Sequence, residues 1–204
     1  MSGLRERQKE RKGQAIITAT RELLDIDGYQ GASIEKIAAR AEVSVGTVYN
    51  YFDSKDNLML SLFLDDVKDI IEKGLSIVGN PSDDAVTAVS ALLKVYAEEI
   101  AGRYSKRLMR ELFASFFGES TSQIKEMFKL DFMLTSQLGE LIEQLQKRGK
   151  LASDIKTEEA AIIIYSVFGI DFLLFVSDND MTLASLVETM RRSTELVFRG
   201  FMPR

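Results

Sequence analysis

"ASIEKIAARAEVSVGTVYNYF", residues 32–52, is the stretch on which the reading of this chain turns. Its first half repeats apolar residues at helical spacing, with Ile34, Ile37, Ala38 and Ala41 on one side. The pattern then breaks for three residues. A second short segment follows, carrying Gly46, Thr47, Asn50 and two tyrosines where leucines would be ordinary. At about 100° per residue, Val48 and Phe52 point one way, flanked by Val45 and Tyr49, while Gly46, Thr47, Asn50 and Tyr51 share the opposite side. A glycine within a helix costs roughly 1 kcal/mol relative to alanine. A short helix that presents one beside hydrogen-bonding side chains is built to meet another molecule.

Working outward, Ser33 and Ser44 are placed to cap the two helices, and Gly28 sits where a left-handed residue would end a first helix over residues 13–27, with Tyr29 as its apolar clasp. Ser54 can cap a fourth helix that runs to about Val78, after which "GNPSDD" reads as a linker. Apolar periodicity predicts further helices near 82–102, 106–117, 120–148, 157–177 and 181–200. The expected fold is all-α with about nine helices. A small N-terminal three-helix module, residues 1–55, precedes a larger helical domain, residues 56–204.

Composition narrows the chemistry. The 204 residues include no cysteine and no histidine, which removes thiolate and imidazole ligands, the usual general base and the common nucleophile pairs. No metal, cofactor or catalysed reaction is expected. The N-terminus is charged where a signal peptide would be apolar, and the run from Ala160 to Val176 is interrupted by Asp171 and shorter than a bilayer span, so the cytoplasm is the expected location. The net charge of −5 is unevenly placed. Residues 1–55 hold nine Lys/Arg against eight Asp/Glu, and the remainder 17 against 23. Arg5, Arg7, Lys9, Arg11 and Lys12 give a basic arm ahead of the first helix.

Two short helices with a tight turn, the second exposing small and polar side chains, form a helix-turn-helix, whose second helix enters the major groove of DNA. The stretch "GYQGASIEKIAARAEVSVGTVYNYFDSKDNL" resembles the DNA-binding module of the TetR family of transcriptional regulators, with the Ser-x-Gly-Thr-hydrophobic-Tyr-x-Tyr-Phe-x-Ser-Lys signature at positions 44–55. The likeness covers roughly residues 11–60. Each position has a chemical use that agrees with it. Ser33 and Ser44, at helix N-termini, can hand hydroxyls to phosphates, and Gly46 allows close approach to the duplex. Thr47 and Asn50 can reach base edges, Val45 a thymine methyl, and Tyr49 and Tyr51 phosphates. Lys55 looks like the family's backbone clamp. Where the family usually has a turn glycine this chain has Glu42, at a cost on the order of 1 kcal/mol if that residue must be left-handed.

One such module neutralises few phosphates, so a homodimer presenting two half-sites of a palindromic operator about 34 Å apart is expected. The near-uniformly apolar helix around Ile163, Ser166, Val167, Gly169 and Ile170, with Leu186, Met190 and Val197 of the next, is the candidate interface. The resemblance implies the same arrangement, together with a ligand pocket in the larger domain. Phe113, Phe117, Met127, Phe128, Tyr165, Phe168 and Phe172 are candidates to line a lipophilic cavity around Asp131, which falls in the middle of an apolar helix face. A buried carboxylate must be paired, hydrogen-bonded or neutralised, and Arg107, Arg110, Arg191 or Tyr165 could serve. The reading is a ligand-responsive regulator, a repressor released by a small lipophilic molecule. One alternative is a lipid-binding bundle whose helix-turn-helix is only scaffold. Another is a carboxylate enzyme, which needs Asp131 and Asp171 at one cavity.

Overall fold

A computed structural model describes residues 2–118 and 121–199, without the side chains of 2, 4, 5, 115–118, 121–124, 126 and 127. Among the described residues there are nine helices and no strand: α1 Ser2–Gly31, α2 Ile34–Arg40, α3 Val45–Tyr51, α4 Lys55–Gly79, α5 Ala85–Arg103, α6 Lys106–Gly118, α7 Thr121–Lys147, α8 Thr157–Ser177 and α9 Leu183–Arg199. The chain divides into two compact units, residues 1–65 with 107–127, and residues 66–106 with 128–204. The divisions fall inside α4, at the start of α6 and inside α7.

In the first unit, Ile16, Leu24, Ile37, Val48, Leu58 and Leu62 form a core with almost no exposure. The helix expected from residue 13 begins at Ser2. Arg, Glu, Gln and Lys are strong helix formers, so the basic arm is itself helical although it lacks the apolar rhythm used to find helix starts. Gly28 breaks α1 with φ 73°, and a Cβ there would lie 2.6 Å from a carboxylate oxygen of Glu111. The backbone conformation favours glycine at that point. The break frees the N–H of Tyr29, which donates to Glu111 Oε2 at 2.8 Å, while the buried tyrosine's hydroxyl reaches Asp56 at 2.6 Å. This is what brings α6 residues into the first unit.

The turn between α2 and α3 answers the question raised by Glu42. Its φ is 55°, and the N–H groups of Glu42 and Val43 bond the carbonyls of Ala39 at 3.2 Å and Ala38 at 2.9 Å, the double closure of a Schellman turn. A side chain in that region is strained. Glu42→Gly is accordingly expected to stabilise the fold by about 1 kcal/mol, read as an upward shift of the urea midpoint with unchanged slope. A lower midpoint would show that the carboxylate repays its backbone strain.

The second unit is built on α5, α7, α8 and α9. Leu92, Leu93 and Tyr96 of α5, Leu138, Leu141 and Leu145 of α7, Phe168 and Phe172 of α8, and Leu186 and Met190 of α9 are buried, and α5 and α8 both pack on α9. Asp66 of α4, buried, holds Arg103 at 2.7 Å and also accepts the hydroxyl of Tyr104. α8 spans 21 residues with a mean hydropathy of 2.2 over its best 18, so by length and composition it could cross a membrane. One side of it, Ile164, Phe168, Asp171, Phe172 and Phe175, lies in the core.

Candidate nucleic-acid interface and effector region

α3 is anchored by Val48, fully buried, and its remaining side chains are freer. Ser44 caps it, the Oγ accepting from Thr47 N–H at 3.1 Å and lying 2.8 Å from Thr47 Oγ1. Ser33 does the same for α2, accepting from Lys36 N–H at 3.3 Å. Gly46 and Asn50 are exposed, as are Tyr49 at 47% and Val45 at 36%, and Thr47 is half-buried. The expected outward face is therefore exposed at Gly46 and Asn50, and it is wider than expected because Val45 and Tyr49 also leave the core.

Two expected contact residues are held inward. Tyr51 is half-buried beside Gly13, and its hydroxyl donates to the carbonyl of Lys9 at 3.0 Å. Lys55 donates to the carbonyl of Tyr29 and sits 4.2 Å over that residue's ring. Burial pushes the Lys55 ammonium below its ordinary range. Both groups are engaged by the helical N-terminal arm and by the Gly28 break, partners that lie outside the signature at positions 44–55.

In the second unit the aromatic residues of α8 form a ladder. Tyr165 to Phe168 is 5.4 Å between ring centroids, Phe168 to Phe172 5.8 Å, and Phe172 to Phe175 5.8 Å. Tyr165 donates its hydroxyl to Asp131 Oδ1 at 2.7 Å, the tyrosine among the four partners considered for that carboxylate. Of the other expected lining residues, Phe128 is 62% exposed on α7, Phe113 is half-buried in the first unit, and the side chains of Phe117 and Met127 lie outside the described residues.

Burial raises the Asp131 carboxyl above its ordinary range, opposed by the Tyr165 hydrogen bond. Folding then favours the protonated acid. The associated stability is present below the unfolded value, about pH 4, and is lost as pH rises through the raised folded value. Asp131→Asn keeps an acceptor for Tyr165 and is expected to stabilise the protein at about pH 7 while changing little near pH 4, by urea melts at both. A uniform loss at both pH values would refute this account of the residue.

Asp171 has a different environment. Its Oδ2 is buried with no hydrogen-bond partner, facing a narrow gap among Leu93, Ile164, Phe168, Met190 and Thr194. Asp131 is not among the residues that line this gap.

The remaining side of α8 is apolar and uncovered in the single chain. Ile162, Ile163, Ile170, Leu173 and Leu174 are each about half exposed, Ser166 and Gly169 lie among them, and Leu196 of α9 adjoins in type. Leu186 and Met190, expected on a dimer face, are instead 0% and 2% exposed, and Val167 and Val197 are half-buried. The α9 stripe serves the unit's own core, and the α8 face is what is left over.

Residues 16–62 match the profile of bacterial regulatory proteins of the tetR family. The fatty acid metabolism regulator protein of Bacillus subtilis is 30% identical over 153 residues, covering 70% of this chain and 77% of that one. The chain belongs to the TetR family. A second relative, the HTH-type transcriptional repressor KstR of Rhodococcus jostii, is 39% identical over 67 residues, covering 33% of this chain and 31% of its own length. Among solved structures, FadR of Thermus thermophilus in complex with lauroyl-CoA superposes with a TM-score of 0.75 at 21% identity, covering 94% of this chain and 96% of that one. FadR of Bacillus subtilis in complex with stearoyl-CoA gives 0.74 at 19%, covering 93% and 99%. These likenesses establish the all-helical fold with its N-terminal helix-turn-helix.

For a TetR-family transcriptional regulator, the described geometry divides the work. The first unit carries the helix-turn-helix with its Ser44-capped second helix, and the second carries the aromatic ladder and the α8 face. Missed by sequence reasoning was Gln137, a polar residue in the apolar register of α7; its signal was its spacing from Leu134 and Leu141.

Proposed function

We propose that this protein is a cytoplasmic repressor that binds a palindromic operator as a homodimer and is released by a long-chain acyl-CoA or a similar lipophile, with no bond made or broken in the effector. The observation carrying the DNA half is the exposed face of α3, where Gly46, Tyr49 and Asn50 are open to solvent while Val48 is buried on the other side. Ser33 and Ser44 cap the two helix N-termini beside it, where the dipole favours a phosphate. Val45, Thr47, Tyr51 and Lys55 complete the set, the last two after release from their internal partners.

Support for the effector half comes from the relatives, one named for fatty acid metabolism and two FadR structures holding acyl-CoA thioesters. The ladder of Tyr165, Phe168 and Phe172 offers an acyl chain an aromatic wall. Dimerisation through the exposed α8 face supplies the second head and covers Ile163, Ile170 and Leu174.

The test begins with an operator selected from genomic fragments by the purified protein. Fluorescence anisotropy should show affinity falling steeply with salt and falling again on adding lauroyl-CoA or stearoyl-CoA. A protein that binds the thioesters yet shows no salt-dependent, sequence-selective DNA binding would instead be a lipid-binding bundle with an idle helix-turn-helix.

A further inference from the structure

Gln137 is 2% exposed, at a position of α7 flanked by the buried leucines 134, 138 and 141. Both ends of its amide are used. Nε2 donates to the carbonyl of Ile71 in α4 at 2.7 Å, and Oε1 accepts from the Tyr96 hydroxyl of α5 at 2.9 Å. That hydroxyl also lies 3.1 Å from the Leu134 carbonyl, and Tyr96 is fully buried.

α4 is thinned to receive the amide. A Cβ at Gly74 would lie 2.6 Å from Gln137 Oε1, 2.9 Å from its Nε2 and 2.8 Å from Leu92 Cδ1. Gly74 is an interior helical residue without positive φ, so space accounts for it, not backbone conformation. Apolar packing would tolerate α4 sliding against its neighbours, but a directed amide-to-carbonyl bond does not. A shift of one residue parts the buried amide of Gln137 from the Ile71 carbonyl, which makes the register discrete.

Tyr96 joins this clamp to the aromatic ladder. Its ring meets Phe168 edge-on at 6.2 Å and 75°, and Phe168 stacks toward Tyr165, which holds Asp131. α4 in turn supplies residues to both compact units, its first part up to Asp65 belonging to the one that carries α3.

We infer that Gln137 and Tyr96 couple effector to operator: a lipophile that displaces Phe168 draws Tyr96 off Gln137, releases the Ile71 carbonyl and lets α4 leave its register. This rests on the effector reading proposed above. The two side chains are positioning residues, and neither need touch the effector or DNA.

Tyr96→Phe keeps the ring and drops the hydroxyl, and Gln137→Leu fills the volume without the amide. Three quantities decide the matter: the lauroyl-CoA Kd by calorimetry, and the operator Kd with and without saturating lauroyl-CoA. The wild-type operator Kd should rise about 10-fold or more with the thioester, and in both variants by less than about 3-fold, at a lauroyl-CoA Kd within about 2-fold of wild type. Folded variants that respond as wild type does would overturn the clamp. If the wild type ignores both lauroyl-CoA and stearoyl-CoA, the effector reading fails, and amide hydrogen exchange decides the clamp instead. Tyr96→Phe should then speed exchange in residues 71–78 of α4 about 10-fold with α9 unchanged, and equal exchange would dispose of it.

Discussion

Ile170→Asp is expected to give a folded monomer whose operator affinity is lower by about 10²- to 10⁴-fold, the gain that a second linked head brings without any new contact. Ile170 is 59% exposed in the single chain, so the substitution removes no packing from the second unit, and its melting behaviour should survive apart from the dimer's own contribution. Placing a carboxylate in the centre of an apolar interface leaves it buried without a partner, which two-fold symmetry inflicts twice. Sedimentation velocity and anisotropy on one preparation are the measurements. A variant that remains dimeric would remove α8 from the interface, and a monomer with wild-type affinity would remove the need for two heads. The same change at Leu186 or Met190 would test nothing, because those residues lie in the core and the chain would unfold.

Asn50→Ala should weaken operator binding by about 5- to 150-fold, the worth of a good bidentate pair to adenine, while leaving affinity for unrelated DNA and the salt slope nearly unchanged. Asn50 is exposed, so little stability should be lost with it. Thr47→Ala should act in the same direction with a small stability cost, since Thr47 Oγ1 lies 2.8 Å from the capping Ser44 Oγ. Tyr49→Phe is the contrast: a phosphate partner lost weakens all sequences alike. Equal losses on operator and random DNA for Asn50→Ala would show that the residue positions the protein and does not read bases.

The recognition motif was legible because its signals are local. A capping serine acts on an amide three residues away, and Glu42 drew notice because the family resemblance puts a turn glycine there. What the motif could not show is who takes its hydroxyls and amines. Tyr51 and Lys55 are engaged by Lys9 and Tyr29, 42 and 26 positions distant. Gln137 escaped attention for a similar reason: a lone amide in an apolar register looks like a rim residue until two partners from other helices are seen to use it.

By itself, then, the order of residues determined the helical class, the helix-turn-helix with its caps and strained turn, and the presence of two carboxylates in apolar helices, because each depends on backbone propensity and on neighbours a turn or two away. Tertiary structure alone decided which apolar faces are spare and which carboxylate is satisfied. Ile170 and Met190 are equally apolar, yet one is open and the other enclosed, and Asp131 has Tyr165 where Asp171 has no partner for Oδ2. Burial and pairing are properties of what arrives from elsewhere in the chain, and helical periodicity carries no information about that.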